Sequence, residues 1–207
     1  MHVFILNAGQ EFAHSGGKFN EMITDWTISI LKEKNITFRI TNINNQYDPL
    51  QEVEHFKWAD VVIYHTPIWW FQVPNRLKKY IDEVFTAGHQ NGMYTSDGRS
   101  RSNPAVHYGT GGLMSGKKYM VTTTWNAPDT AFTLPGEFFD QRSVDDGVLF
   151  GFHKMNQFVG MERMDGFHFH DLEKNATMQR IDRYKNLYMD HLSTIITKQT
   201  HRTHTSI

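Results

Sequence analysis

Between Asp60 and Pro74 the apolar run Val61-Val62-Ile63 leads to Pro67 and then releases three consecutive rings, Trp69, Trp70 and Phe71. Three rings in succession after a strand cannot all enter one core. At least one must wall a cleft at the strand's carboxyl end, where a flat ligand can lie. Each buried ring covers roughly 150–250 Å², and stacking adds about 0.5–1.5 kcal/mol. Pro67 and Ile68 fix how the chain enters this segment. A second segment, Ser15-Gly16-Gly17-Lys18, stands where a first strand passes into a helix. A hydroxyl, backbone N–H groups and a helix amino terminus there suit a phosphate. Read alone, the same residues equally describe a serine cap with turn glycines. The segment is neither GxGxxG nor a Walker loop, so neither a Rossmann dinucleotide site nor an NTPase follows. A third segment, Thr124-Trp125-Asn126-Ala127, offers another ring and backbone donors. Gly111 and Gly112 beside Tyr108 offer donors and close backbone approach, or simply a turn. Together these residues suggest a flavin site.

Other candidates are weaker. His168 and His170 share a strand face, but two histidines make a poor metal site, and none is expected. Asp145-Asp146 and Asp82-Glu83 read as solvated charges and caps rather than catalytic pairs. Arg99 and Arg101 either grip the 2′-phosphate of NADPH or belong to a solvated basic loop.

The elements that must position these segments are legible in the periodicity. Val3–Leu6 reads as a first strand, and 18–35 as a helix with Phe19, Met22, Ile23, Trp26 and Ile30 on one face. Ile36–Thr41 alternates like a half-exposed edge strand. A short helix around Val53 and Phe56 precedes the third strand, Val61–Ile63. Pro74 suits the first position of the next helix and Gly88 its carboxyl cap. Residues 88–116 are too long and aperiodic for an ordinary connection. Tyr119–Val121 is a fourth strand, and 129–157 reads as two short helices broken at Pro135-Gly136. Met164–Phe169 is a fifth strand, and 175–198 a long helix. Alternating strands and helices predict an α/β fold, a flavodoxin-like doubly wound parallel sheet in order 2-1-3-4-5. One domain spans 1–198 with the insertion 88–116, and 199–207 is a polar tail expected to fray. In that order, the loops after strands 1, 3 and 4 converge at the ligand crevice.

The 207 residues carry a formal charge of −1, with 39% apolar, 14% aromatic and 21% charged residues. That balance gives no field to attract nucleic acid or an acidic membrane. Without cysteine there are no thiol nucleophiles, disulfides or cysteine-ligated clusters, so redox work would fall to a bound organic cofactor or a metal held without sulfur. The amino terminus lacks a signal-like stretch and no apolar run would span a membrane, so a cytoplasmic location is expected, without stable membrane insertion.

Several motifs jointly carry a resemblance: Phe12-Ala13-His14-Ser15, Trp58-Ala59-Asp60-Val61-Val62-Ile63, Lys79-Tyr80-Ile81-Asp82, Val84-Phe85-Thr86, Tyr94-Thr95-Ser96-Asp97-Gly98-Arg99, Gly116-Lys117-Lys118-Tyr119-Met120, Thr124-Trp125-Asn126-Ala127-Pro128 and His153-Lys154-Met155-Asn156-Gln157-Phe158. Across roughly residues 3–162 the chain resembles the modulator of drug activity B family, NADPH:quinone oxidoreductases of the flavodoxin-like group related to DT-diaphorase. The resemblance implies an FAD-dependent homodimer with FAD at the subunit boundary. On that reading hydride would pass from NADPH to a quinone in two half-reactions, by a ping-pong mechanism. It maps FAD contacts onto Ser15, Gly16, Gly17, Lys18, Phe19, Asn20, Glu21 and Met22, onto Ile68 to Phe71, onto Tyr108, and onto Thr124 to Ala127. Tyr108 is the candidate catalytic donor to a flavin or quinone oxygen. Ile68 stands where the family is associated with glycine, and a bulkier residue there narrows the slot. Two readings of another class are an FMN-binding electron carrier and a regulatory subunit of a membrane transporter, neither with turnover of its own.

Overall fold

The computed structural model describes residues 1–12 and 15–204, without the side chains of residue 15 and of 201–204, so Ala13, His14 and the last three residues of the tail lie outside it. The main sheet contains β1 (His2–Asn7), β4 (Thr37–Asn42), β5 (Val61–Pro67), β6 (Lys118–Thr124), β7 (Glu162–Arg163) and β8 (Phe167–Phe169). Its order is β4-β1-β5-β6-β7, with β8 also on β6, and every pairing is parallel. Counting main strands only, this is the expected order 2-1-3-4-5. The fifth strand is split into two short pieces around residues 164–166. A small hairpin, β2 (Glu11–Phe12) with β3 (Ser15–Gly16), stands outside the sheet.

Parallel strands need helices on both faces, and the sequence supplies them. On one face Phe4, Leu6, Val62, Tyr64, Tyr119 and Val121 pack with α2 (Pro49–Trp58), α3 (Asn75–Ala87) and α5 (Phe150–Phe158). On the other, Val3, Ile5, Ile63 and Met120 meet Ile23, Trp26, Ile30 and Leu31 of α1 (Lys18–Glu33) and Tyr188, Leu192 and Ile196 of α6 (Met178–His204). Thus β5 is buried along its whole length, whereas edge strand β4 is mostly exposed. The short α4 (Thr130–Thr133) is the first of the two expected short helices.

The helix ends differ in detail from expectation. Asp48 caps α2 by accepting from the Leu50 and Gln51 N–H groups, with Pro49 next in line. Pro74 is the cap of α3 rather than its first residue. Gly88 ends α3 in a right-handed conformation (φ −74°), so left-handed freedom is not its purpose. A β-carbon there would lie 2.4 Å from the Met93 sulfur. The last helix continues through residues 199–204, past the point where the sequence suggests a tail.

One buried carboxylate ties the edge of this frame together. Glu52, 4% exposed, accepts from Thr41 Oγ1 at 2.9 and 3.0 Å and from the Tyr80 hydroxyl at 2.5 Å. Burial and this neighbouring carboxylate push the Tyr80 phenol well above its ordinary range. Replacing Glu52 by Ala strands two buried hydroxyls, and should cost about 2–4 kcal/mol in urea unfolding. Glu52→Gln, which keeps an acceptor, should cost less than half as much.

Candidate functional site

The crevice at the carboxyl ends of β1, β5 and β6 is built from the expected loops, with unexpected side-chain directions. After β1 the chain pinches shut. A β-carbon on Gly9 would lie 2.7 Å from Asn20 Cβ and 2.9 Å from the Gly17 carbonyl oxygen. Gly17 itself is left-handed (φ 68°) and forms the cap of α1 without a side-chain bond, so the cap is Gly17 and not Ser15. Gln10 and Asn20 are both buried here, and among the described residues Gln10 Oε1 and Asn20 Oδ1 have no hydrogen-bond partner. The other end of the Gln10 amide donates to Asn75 Oδ1 at 3.0 Å. Buried polar atoms without partners are uncommon in native folds. An amide can also present either oxygen or nitrogen by flipping. Ligand hydroxyls at the amino end of α1 would donate to both oxygens, while the backbone N–H groups there suit a phosphate. Of the remaining residues expected here, Lys18 and Glu21 are exposed, while Phe19 and Met22 pack on the α1–α6 side.

After β5 the three rings diverge. Pro67 ends the strand, and Ile68 is buried in the core with its N–H on the Thr124 carbonyl. Its side chain packs with the core cluster and is 8% exposed, so little of it faces the crevice. Trp69 and Gln72 exchange backbone hydrogen bonds at 2.9 and 3.0 Å, which closes a tight turn through Trp70 and Phe71. Both turn residues are left-handed, with φ 48° and 61°. Non-glycine residues pay roughly 1–3 kcal/mol each for this, strain that is characteristic of functional sites. Trp70 is thrown outward, 88% exposed, while half-buried Trp69 tilts against Phe12 at 5.1 Å.

After β6, Trp125 points into the core rather than into the slot. Its indole N–H donates to Thr123 Oγ1, its ring meets Phe132 edge-on at 5.0 Å, and its backbone N–H is taken by the Phe169 carbonyl. Thr124 is buried, Asn126 is exposed and binds Glu173, and Ala127 accepts from the Asp171 N–H. The connection from α4 to α5, residues 134–149, crosses beside these loops. Its Phe138 stacks on Phe71 at 5.4 Å, and Phe139 lies flat on Phe132 at 3.9 Å. The pair of phenylalanines after Pro135-Gly136 is the one sequence signal for this strap, and sequence reasoning passed over it, as it did Gln10.

Tyr108, Gly111 and Gly112 are not brought to this crevice within one chain. Tyr108, 70% exposed, packs on Phe158 at the end of α5 and lies under the Arg99 guanidinium. Gly109 lines a cavity of about 600 Å³ with Tyr119, Glu162 and Arg163, residues at the amino ends of β6 and β7. That places the loop at the opposite edge of the sheet, about 20 Å along β6 from Trp125 at the usual strand rise. A β-carbon on Gly111 would strike the Ser96 carbonyl (2.1 Å), and one on Gly112 the Val159 carbonyl carbon (2.3 Å). Gly111 therefore serves packing within its own loop, and Gly112 the close approach of that loop to the end of α5. Arg99 is bound twice to Asp97, at 2.6 and 2.8 Å, which holds the Asp97 carboxyl below its usual range.

Among the described residues no group of three or more His, Asp or Glu side chains is arranged to hold a metal. His168 instead faces Asp145, as does His153. Asp145 is thus half-buried and paired, which corrects its reading as a solvated charge; Asp146 does act locally, bonding Ser143. Burial disfavours the Asp145 charge, but the two imidazole N–H groups outweigh it and hold the carboxyl well below the ordinary range. No helix among the described residues is long and apolar enough to cross a membrane.

A parallel sheet in this order, with a phosphate-ready loop after its first strand and rings after its third, is the flavodoxin-like arrangement. The chain belongs to the flavodoxin-like fold family, matching it over residues 1–192. An uncharacterized protein of Schizosaccharomyces pombe is 44% identical over 195 residues, 94% of this chain and 97% of that one. The NADPH:quinone oxidoreductase MdaB of Haemophilus influenzae is 41% identical over 196 residues, 94% of this chain and 99% of its own, which bears out the family resemblance. Among solved structures, general stress protein 14 of Treponema denticola, in complex with FMN, superposes with a TM-score of 0.64 at 20% identity, covering 93% of this chain and 98% of that one.

Proposed function

We propose that this chain is an FAD-dependent NAD(P)H:quinone oxidoreductase that works as a homodimer. The observation that carries the reading is the pair of buried amide oxygens, Gln10 Oε1 and Asn20 Oδ1, that lack partners among the described residues at the amino end of α1 beside the Trp69–Phe12 wall. The 41% identity to a relative named as an NADPH:quinone oxidoreductase supports it from outside the site. FAD, when bound, supplies two-electron hydride chemistry between a nicotinamide and a quinone. Gly17, Gln10 and Asn20 would hold its phosphate and hydroxyl groups, and Trp69 with Phe12 would wall its ring. Phe71 and Phe138 then bound the adjoining slot, exclude water and orient a flat substrate face to face. The protein's contribution is orientation rather than a strong base. Donor and acceptor take the slot in turn, which gives ping-pong kinetics.

Tyr108 fits this reading only from a second copy. Its own crevice lies at the other edge of the sheet, so a hydroxyl from this loop reaches a bound quinone across a subunit boundary. The purified protein should be yellow and release FAD on denaturation. It should also oxidise NADPH in steady state with a simple quinone, giving parallel double-reciprocal lines. A colourless protein that takes up neither FAD nor FMN would remove the proposal. Bound flavin without turnover would favour an electron carrier or a regulatory subunit.

A further inference from the structure

The strap 134–149 carries the ring that covers Phe71, yet its tip is built poorly for holding still. Gly136, Asp140 and Gln141 are all left-handed, and Phe138 is 71% exposed. The strap is held in its middle, where the Phe139 N–H bonds the Ala131 carbonyl and its ring lies on Phe132, and again at its exit. Asp145 Oδ1 accepts from His153 Nε2 at 2.9 Å, and Asp145 Oδ2 lies 3.6 Å from His168 Nε2. Each imidazole is itself oriented from behind. The Tyr119 hydroxyl meets His153 Nδ1 at 2.8 Å, and Thr123 Oγ1 meets His168 Nδ1 at 2.7 Å. Because a carboxylate only accepts, the Asp145 contact calls for the proton on His168 Nε2, and Nδ1 then takes the Thr123 hydroxyl proton. Val144 and Leu149 are also buried, but apolar contacts tolerate sliding, whereas the carboxylate is held from two directions by α5 and β8.

We infer that Asp145 is a positioning residue: gripped by His153 and His168, it latches the strap so that Phe138 stays over Phe71 and offers ring surface to a flat acceptor, so that an acceptor of larger area loses more when the latch opens. The kinetic half of this rests on the proposed quinone reduction; the latch itself does not. Trypsin supplies a readout independent of activity, because exposed Arg142 lies in the strap three residues before Asp145. In the flavin-loaded protein, Asp145→Asn should be cut after Arg142 about tenfold faster than wild type, as local opening becomes easier. It should raise KM for a naphthoquinone about tenfold, while kcat with a one-ring benzoquinone changes less than twofold. In a Phe138→Ala background the Asp145 substitution should add nothing to KM, because its effect runs through that ring. Unchanged cleavage, additive effects, or an equal fall in kcat for both quinones would overturn the latch. If Asp145→Asn does not fold, His153→Gln and His168→Gln each remove one grip, and unchanged cleavage in both would overturn it equally. Absence of all quinone turnover would count against the proposed function, leaving the cleavage rates to decide the latch.

Discussion

Gly9→Ala should purify with its sheet intact and without cofactor. The added carbon falls 2.7 Å from Asn20 Cβ, 2.9 Å from the Gly17 carbonyl and 3.0 Å from Asn7 Oδ1, so something must move. The helix cannot easily yield, because Ile23, Trp26, Ile30 and Leu31 of α1 are buried in the core. The loop yields instead, and it carries Gln10 and the left-handed Gly17. Losing the aligned N–H groups and one amide removes several hydrogen bonds to a charged group, each contributing about 1.5–3 kcal/mol. Flavin affinity should fall at least about a hundredfold, since each 1.4 kcal/mol is tenfold. The check is visible absorbance after purification and titration of the apoprotein with FAD, alongside far-UV circular dichroism. Gly151→Ala is the control, because its β-carbon meets nothing within 4 Å. Full flavin occupancy in Gly9→Ala would show that the pinch after β1 is not part of the site.

How much of this was visible in the residues depends on what kind of information a strand or loop carries. Residue patterns name strands well: the unbroken run of β5 and the alternating residue types of β4 mark both as strands, although in β4 the buried position is Thr41 and Ile40 is exposed. Strand order then brings the loops after β1, β5 and β6 together, so the crevice was legible before any coordinates. Side-chain direction in an irregular turn was not. Nothing in Trp69-Trp70-Phe71 announces two left-handed residues, since no glycine marks the turn. Hence Ile68 enters the core, Trp70 leaves it, and only Trp69 and Phe71 remain at the slot. The insertion 88–116 teaches a different lesson. It joins the end of α3 to the start of β6, and such a connection must lie at the amino edge of a parallel sheet. Connectivity alone therefore separates Tyr108 from its own crevice, a deduction open to the sequence. Asp145 was undetectable, because its partners His153 and His168 come from a helix and a strand that only folding brings together.

Stability should fall steeply as pH drops below about 6, and the chief cause should be His65. This imidazole is fully buried on β5, with Nε2 3.0 Å from Thr27 Oγ1 and Nδ1 2.6 Å from Thr122 Oγ1. Two neutral hydroxyls satisfy both nitrogens but bring no countercharge for a cation, and burial lowers the pKa from 6.5 to about 3. Between those values the unfolded chain binds a proton that the native chain refuses, so unfolding is favoured as pH falls. The stabilisation is complete above pH 6.5 and is lost progressively towards pH 3. The interval is worth roughly 5 kcal/mol, a large share of a typical domain's stability. His170, lowered to about 4 by burial and then by the charge of His168, adds to the same window. Asp145 acts later, because a carboxyl held below its usual range destabilises only under about pH 4. Urea unfolding from pH 7.5 to 4.5 should therefore show an uptake of nearly two protons per molecule at the acid end. His65→Gln should lower the plateau at neutral pH while reducing that uptake by one. An unchanged slope in His65→Gln would place the acid sensitivity elsewhere, and would mean that the Thr27–His65–Thr122 chain accommodates a charged imidazole.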